Sequence, residues 1–276
     1  MKHLICVSLL VMSACDGTPQ NSNDGNPANP DAVGSSDAAP SVDSAPSSGC
    51  GKPATAGLVN RTISIGGVDR NFAIRIPANY DPAVLHPVVF ALHGAGSNGG
   101  AALGSPLTIR GVPAIMVGPT AKGTYWGDPS DTQLVDAINA LLPTELCIDT
   151  ARTFVYGYSS GGFMASTLAC TRGNVFKGVG VLEGGGSARC PTPVAMWITH
   201  NSDDMTVTLS YGTALRDAWI ANNQCMTTST PIGTNPCVSY NGCSAGHPVV
   251  WCNPATGGHR PASFTYTELT AFFSSL

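Results

Sequence analysis

The chain has 276 residues, of which 43% are hydrophobic and only 11% charged, with 32 Gly and 21 Pro. A charged fraction less than half the usual ~25% excludes a coiled coil or a charge-rich disordered chain. With 13 Lys and Arg against 17 Asp and Glu there is no basic face for phosphates, so no nucleic-acid partner is expected.

Met1-Lys2-His3 is a short basic start, and Leu4 to Met12 is an apolar run too short for a bilayer core, which needs ~20 residues. It suits the core of a secretory signal. Ser13-Ala14-Cys15 follows and resembles the bacterial lipobox, in which the Cys is acylated and becomes the mature N-terminus. The expectation is a signal over residues 1–14, a lipid site at Cys15, and export to the cell envelope or beyond. The only membrane contact expected is this anchor, which holds a protein to a membrane without spanning it. Residues 16–49 are rich in Ser, Asn, Asp, Ala, Pro and Gly, carry five Asp and have no Lys, Arg or Glu. Such a stretch buries too little to offset its ordering entropy and reads as a disordered spacer. Residues 50–276 hold 12 basic and 12 acidic side chains, a neutral body suited to a neutral ligand. Eight cysteines remain in that body, an even number that in an exported chain favours disulfides. None has Cys-x-x-Cys spacing, so no metal site is expected.

Within the body, Thr62–Ile65 and Phe72–Ile76 alternate around Gly66-Gly67 and predict an antiparallel hairpin. Val88–Leu92 is a continuous apolar run, the mark of a strand buried on both faces. Ala114–Val117, Phe154–Tyr156, Val179–Leu182, Val194–Thr199 and Val249–Cys252 read the same way. Helical stretches alternate with them: one after a cap at Ser130 or Asp131, then Ser160–Cys170, Tyr211–Ala221 and Thr267–Leu276. The alternation predicts an α/β fold with a mostly parallel sheet covered on both sides and functional groups at the strands' carboxyl ends.

Gly157-Tyr158-Ser159-Ser160-Gly161 is Gly-x-Ser-x-Gly between a strand and a helix, the setting that gives this motif its meaning. A sharp turn there lifts the Ser159 hydroxyl clear of the sheet, with helix-start amides behind it. A hydroxyl nucleophile needs an imidazole base and a carboxylate to orient that base. In α/β-hydrolases the chain order is Ser, acid, His. Of the histidines after Ser159, His200 leaves almost no room for a preceding acid, and His247 stands at the entering end of a strand. His259 follows Val249–Cys252, at the same edge as Ser159, and is the expected base. The acid belongs in the loop after Val194–Thr199, where spacing alone leaves Asp203 and Asp204 open. His93-Gly94-Ala95-Gly96 follows the early buried strand, so the amides of Ala95 and Ser160 are the expected oxyanion donors, with His93 structural. Tyr125 and Trp126 lie in a Gly/Asp-rich loop near this edge. Trp126 and Tyr158 are candidate substrate-binding rings.

These segments resemble the secreted feruloyl esterase and polyhydroxybutyrate depolymerase group of α/β-hydrolases. The carriers are Arg75–Asp81, His93–Gly96, Leu146–Asp149, Gly157–Gly162, Cys237–Cys243 and Pro248–Trp251. The resemblance implies an acid four positions after the His that ends its strand, which selects Asp204. It implies a base in a Gly-His-x-x-Pro-like loop, which Gly258-His259-Arg260-Pro261 matches in part. Asn201 stands where this group commonly has Gly. The implied activity is serine ester hydrolysis on feruloyl or acetyl esters of plant polysaccharides or on aliphatic polyesters; the double displacement through these residues requires no metal or cofactor, and a monomer is expected. The reading from another class is a carbohydrate-binding surface lipoprotein that keeps the fold without the chemistry.

Overall fold

The computed structural model describes residues 47–104, 106–186 and 190–276. The expected export signal, Cys15 and nearly all of the 16–49 spacer lie outside the described residues. The elements in chain order are β1 (Gly57–Ile65), β2 (Val68–Ile76), β3 (His86–Leu92), α1 (Gly99–Ala102), β4 (Thr108–Ile109), β5 (Val112–Pro113) and β6 (Ile115–Pro119). Then come α2 (Pro129–Glu145), β7 (Ile148–Tyr158), α3 (Ser160–Thr171), β8 (Gly178–Leu182), β9 (Ala195–Thr199) and α4 (Leu209–Asn222). The last are β10 (Ser229–Ile232), β11 (Cys237–Tyr240), β12 (Val249–Cys252) and α5 (Thr265–Ser275).

Ten strands form one sheet in the order β1-β2-β6-β3-β7-β8-β9-β12-β11-β10. From β6 to β12 every neighbouring pair is parallel, while β1-β2 and β12-β11-β10 are antiparallel borders. The first border is the expected hairpin. The second was not expected, and neither were α1 and the β4-β5 pair.

The apolar runs explain the buried strands. β3 is buried throughout and sends Val88, Phe90 and Leu92 into one core and Val89 and Ala91 into the other, the two-residue period of a strand. Leu134, Ile138, Leu168 and Trp219 from α2, α3 and α4 pack on the first face; Leu269 and Phe273 from α5 pack on the second. Helices therefore cover both faces. Between β3 and its two neighbours the chain order reverses, since β6 lies on one side and β7 on the other. Loops leaving the carboxyl ends of β3 and β7 diverge there and open a crevice, where ligands of such sheets bind.

The cap of α2 corrects the expected start. Pro129 occupies the first helical position, where its fixed φ is pre-organised, so the cap is Asp128, one residue before it. Asp131 completes a capping box, as its carboxylate accepts from the Asp128 amide. It also takes the Arg70 guanidinium at 2.6 Å, and both side chains are buried. The amides of Lys122 and Gly127 donate to the same carboxylate, so one ion pair fixes α2, β2 and the 120–128 loop together.

The eight body cysteines pair as Cys50–Cys147, Cys170–Cys190, Cys225–Cys243 and Cys237–Cys252. Among the described residues no helix is long and apolar enough to cross a membrane.

Candidate active site

β7 ends at Tyr158 and α3 begins at Ser160, so Ser159 alone makes the turn. Its φ of 55° and ψ of −120° form a backbone that side-chain-bearing residues rarely adopt. The turn is this sharp because backbones touch. A Cβ on Gly157 would lie 2.0 Å from the Gly161 carbonyl oxygen, and one on Gly161 2.2 Å from that of Leu92. The Ser159 amide donates to the Leu182 carbonyl at 2.9 Å, which ties the turn to β8.

His259 lies in the loop between β12 and α5. Its Nε2 is 2.8 Å from Ser159 Oγ, and its Nδ1 is 2.7 Å from Asp204 Oδ2. A carboxylate only accepts, so Nδ1 carries the proton and Nε2 is left to accept from the serine hydroxyl. Burial works against ionisation of Asp204, but the bonds from the His259 ring and the amides of Thr206 and Val207 outweigh it and hold its carboxyl below the usual range.

The neighbouring acid has another role. Asp203 accepts from the amides of Gly258 at 2.7 Å and Gly257 at 3.3 Å, and so caps the loop that carries His259. His200 is buried and bonds the Val207 carbonyl at 2.7 Å. His247 precedes β12 and lines a separate cavity with Thr150 and Lys177, away from Ser159.

Ser159 and His259 open onto a cleft of about 470 Å³ that is also lined by Ala95, Tyr156, Tyr158, Pro261 and Tyr266. The Ala95 amide makes no backbone bond among the described residues, and Ser160 stands in the first turn of α3, where amides lack intrahelical partners. His93 is built in: the Ala121 amide donates to its Nε2 at 3.0 Å, and its Nδ1 donates to the Gly94 carbonyl at 2.7 Å. Burial holds its imidazole below its ordinary range, as a neutral structural ring requires.

Of the two expected substrate-binding rings, Tyr158 lines the cleft and Trp126 does not. The Trp126 indole donates to the His93 carbonyl at 2.8 Å and its amide to Ser160 Oγ at 3.1 Å. Those bonds turn its ring toward a neighbouring groove shared with Phe163 and Met164. Trp126 thus braces the loops behind the cleft, while Tyr156 and Tyr266 supply the aromatic wall. Sequence reasoning missed both, because Tyr156 sits inside an apolar strand run and Tyr266 falls just before the expected helix Thr267–Leu276, outside any predicted element.

It also missed Glu183, the residue after β8. Glu183 is fully buried at φ 44°, and neither carboxyl oxygen has a hydrogen-bond partner among the described residues. Burial, with repulsion from Asp204, pushes its carboxyl up to about 8. The available signal was a lone acid closing an otherwise apolar strand.

Known proteins share this frame. No family model matches the sequence. The chain is 32% identical to feruloyl esterase D of Neurospora crassa, over 79% of this chain and 83% of that one. It is 33% identical to feruloyl esterase C of Emericella nidulans, over 80% and 86%. An acetyl xylan esterase from Aspergillus awamori superposes with a TM-score of 0.61 at 15% identity, over 78% of this chain and 99% of that one. A ferulic acid esterase from Anaeromyces mucronatus gives 0.59 at 16% identity, over 80% and 91%. The solved structures share the α/β-hydrolase fold, and the sequence relatives define a serine ester hydrolase. The chain belongs to the feruloyl esterase family.

Proposed function

We propose that the chain hydrolyses carboxylic esters of hydroxycinnamic acids, feruloyl esters first among them, through Ser159, His259 and Asp204. The observation that carries this reading is the unbroken hydrogen-bonded series from Ser159 through His259 to Asp204, at 2.8 and 2.7 Å, opening into a cleft. Ser159 Oγ attacks the ester carbonyl carbon as His259 Nε2 takes its proton, and Asp204 steadies the resulting imidazolium. The amides of Ala95 and Ser160 face the developing oxyanion, a contribution of about 10²–10³-fold per donor in such sites. His259 returns its proton to the departing alcohol. Water, activated by the same imidazole, then releases the acid from Ser159.

The feruloyl preference draws on the family to which the chain belongs and on the aromatic wall of Tyr156, Tyr158 and Tyr266, which suits a planar phenolic acyl group. Export is supported by four disulfides. Acylation at Cys15 and a monomeric state complete the reading. Radiolabelled palmitate incorporation, lost in Cys15→Ala, tests the first, and sedimentation tests the second.

A fluorophosphonate probe tests the chemistry. Labelling of the wild type but not of Ser159→Ala is expected, and an unlabelled wild type would favour a binding protein. Turnover of methyl ferulate well above that of emulsified polyhydroxybutyrate is expected. The opposite ranking would move the substrate to polyesters.

A further inference from the structure

His259 lies in a loop, and its ring can act only if that loop is held still. Asp204 fixes the ring's rotation through one bond, but a single bond to the ring does not fix the backbone that carries it. That backbone is gripped elsewhere. Asn201, fully buried in the loop after β9, donates from Nδ2 to the carbonyl oxygens of Gly258 at 2.8 Å and Arg260 at 2.6 Å, one on each side of His259. Both partners only accept, so the amide nitrogen must face them. The approach is close enough that a Cβ on Gly257 would lie 2.8 Å from Asn201 Nδ2.

The loop that supplies this grip is itself fastened to the strand preceding the His259 loop. The His200 amide donates to the Cys252 carbonyl at 3.0 Å, the Ser202 amide to the Pro254 carbonyl at 2.8 Å, and Asn253 Nδ2 to the His200 carbonyl at 2.6 Å. Asn201 and Asp204 thus belong to one frame, so sliding His259 away from its carboxylate breaks the backbone clamp as well as the ring bond.

We propose that Asn201 is a positioning residue for His259: its side-chain amide clamps the two carbonyls flanking the base and holds the imidazole between Ser159 and Asp204. The chemistry of the residue fits the task. Two N–H groups on one planar amide reach two carbonyls, whereas a carboxylate of the same shape would repel both and an alanine would reach neither. A displacement of the base near 1 Å costs on the order of 10²-fold in rate.

The proposal rests on the Ser159–His259–Asp204 reading. The test measures kcat and KM on methyl ferulate, per active site counted by fluorophosphonate titration, for the wild type, Asn201→Ala and Asn201→Asp. Both variants are expected to lose about 10- to 100-fold in kcat with KM within about twofold, and to label at Ser159 more slowly by the same factor. Thermal unfolding is recorded alongside. A variant that melts earlier but keeps kcat per titrated site within about twofold of wild type would reduce Asn201 to a structural residue and overturn the proposal. In wild-type protein, the Asn201 side-chain amide protons are expected to exchange slowly by NMR. Rapid exchange overturns the clamp even if neither variant folds. A wild type that fails to label at Ser159 has a different signature and removes the underlying relay, and the clamp with it.

Discussion

The Tyr158 hydroxyl donates to the His259 carbonyl at 2.5 Å, so the residue before Ser159 holds the backbone of His259, 101 positions later in the chain. The two rings also lie 5.2 Å apart in a tilted pair. Tyr158→Phe keeps the ring and removes the bond. We expect a several-fold lower kcat and about 1 kcal/mol less stability, read by steady-state turnover and a urea midpoint. Unchanged values of both would mean the bond contributes nothing in solution.

The two adjacent carboxylates are expected to separate cleanly. Asp204→Asn preserves size but can offer an N–H to Nδ1, which favours the wrong imidazole tautomer. A loss of about 10⁴-fold in kcat is expected, the size of effect this change produces in serine hydrolases. Asp203→Asn loosens the cap on Gly257 and Gly258 and should cost less than about tenfold, since it leaves the ring bond intact. Turnover of the two variants side by side checks this, and the reverse order would make Asp203 the acid.

Glu183 gives stability a pH dependence of known sign. Its carboxyl titrates near 8 when folded against an ordinary value of 4.5, raised first by burial and then by Asp204. Between those values the folded chain keeps a proton that the unfolded chain has released, so stability falls as pH rises. The contribution is whole below the unfolded value and is gone once the pH has passed the folded one. Glu183→Gln stays neutral throughout, so its melting temperature should decline less than that of wild type from about pH 5 to 9. Parallel melting curves over that range would show that Glu183 is not held neutral.

Arg70→Met should be costly because it strands Asp131 as an unpaired buried charge. About 3–5 kcal/mol is expected, measured by denaturant unfolding. Asp131 also receives the Gly127 amide beside Trp126, so a fall in turnover should accompany the lost stability. A loss under about 1 kcal/mol would mean that the remaining amide donors suffice for Asp131.

Much of this architecture is legible in the residues themselves. Strands buried on both faces announce themselves as apolar runs such as Val88–Leu92, and a serine between a strand and a helix in Gly-x-Ser-x-Gly marks the turn. The placement of His259 follows from which end of β12 it leaves. The outer hairpin was not legible, because Ser229–Ile232 is short, polar and largely exposed, leaving no alternation to read. The orientation of Trp126 was hidden for a different reason: its two hydrogen bonds go to His93 and Ser160, partners that only the folded crevice brings near. The choice between Asp203 and Asp204 depends on which carboxylate meets a ring and which meets loop amides, a distinction of a few ångströms that spacing does not carry.

The twisted backbone at Ser159 has a consequence for how the protein tolerates change. A glycine at that position would accept φ 55° and ψ −120° with little steric objection, so Ser159→Gly should abolish turnover and yet melt higher than the parent. Drift that improved robustness alone would tend to erase the hydroxyl proposed to react, and the sequence keeps a strained backbone at that residue.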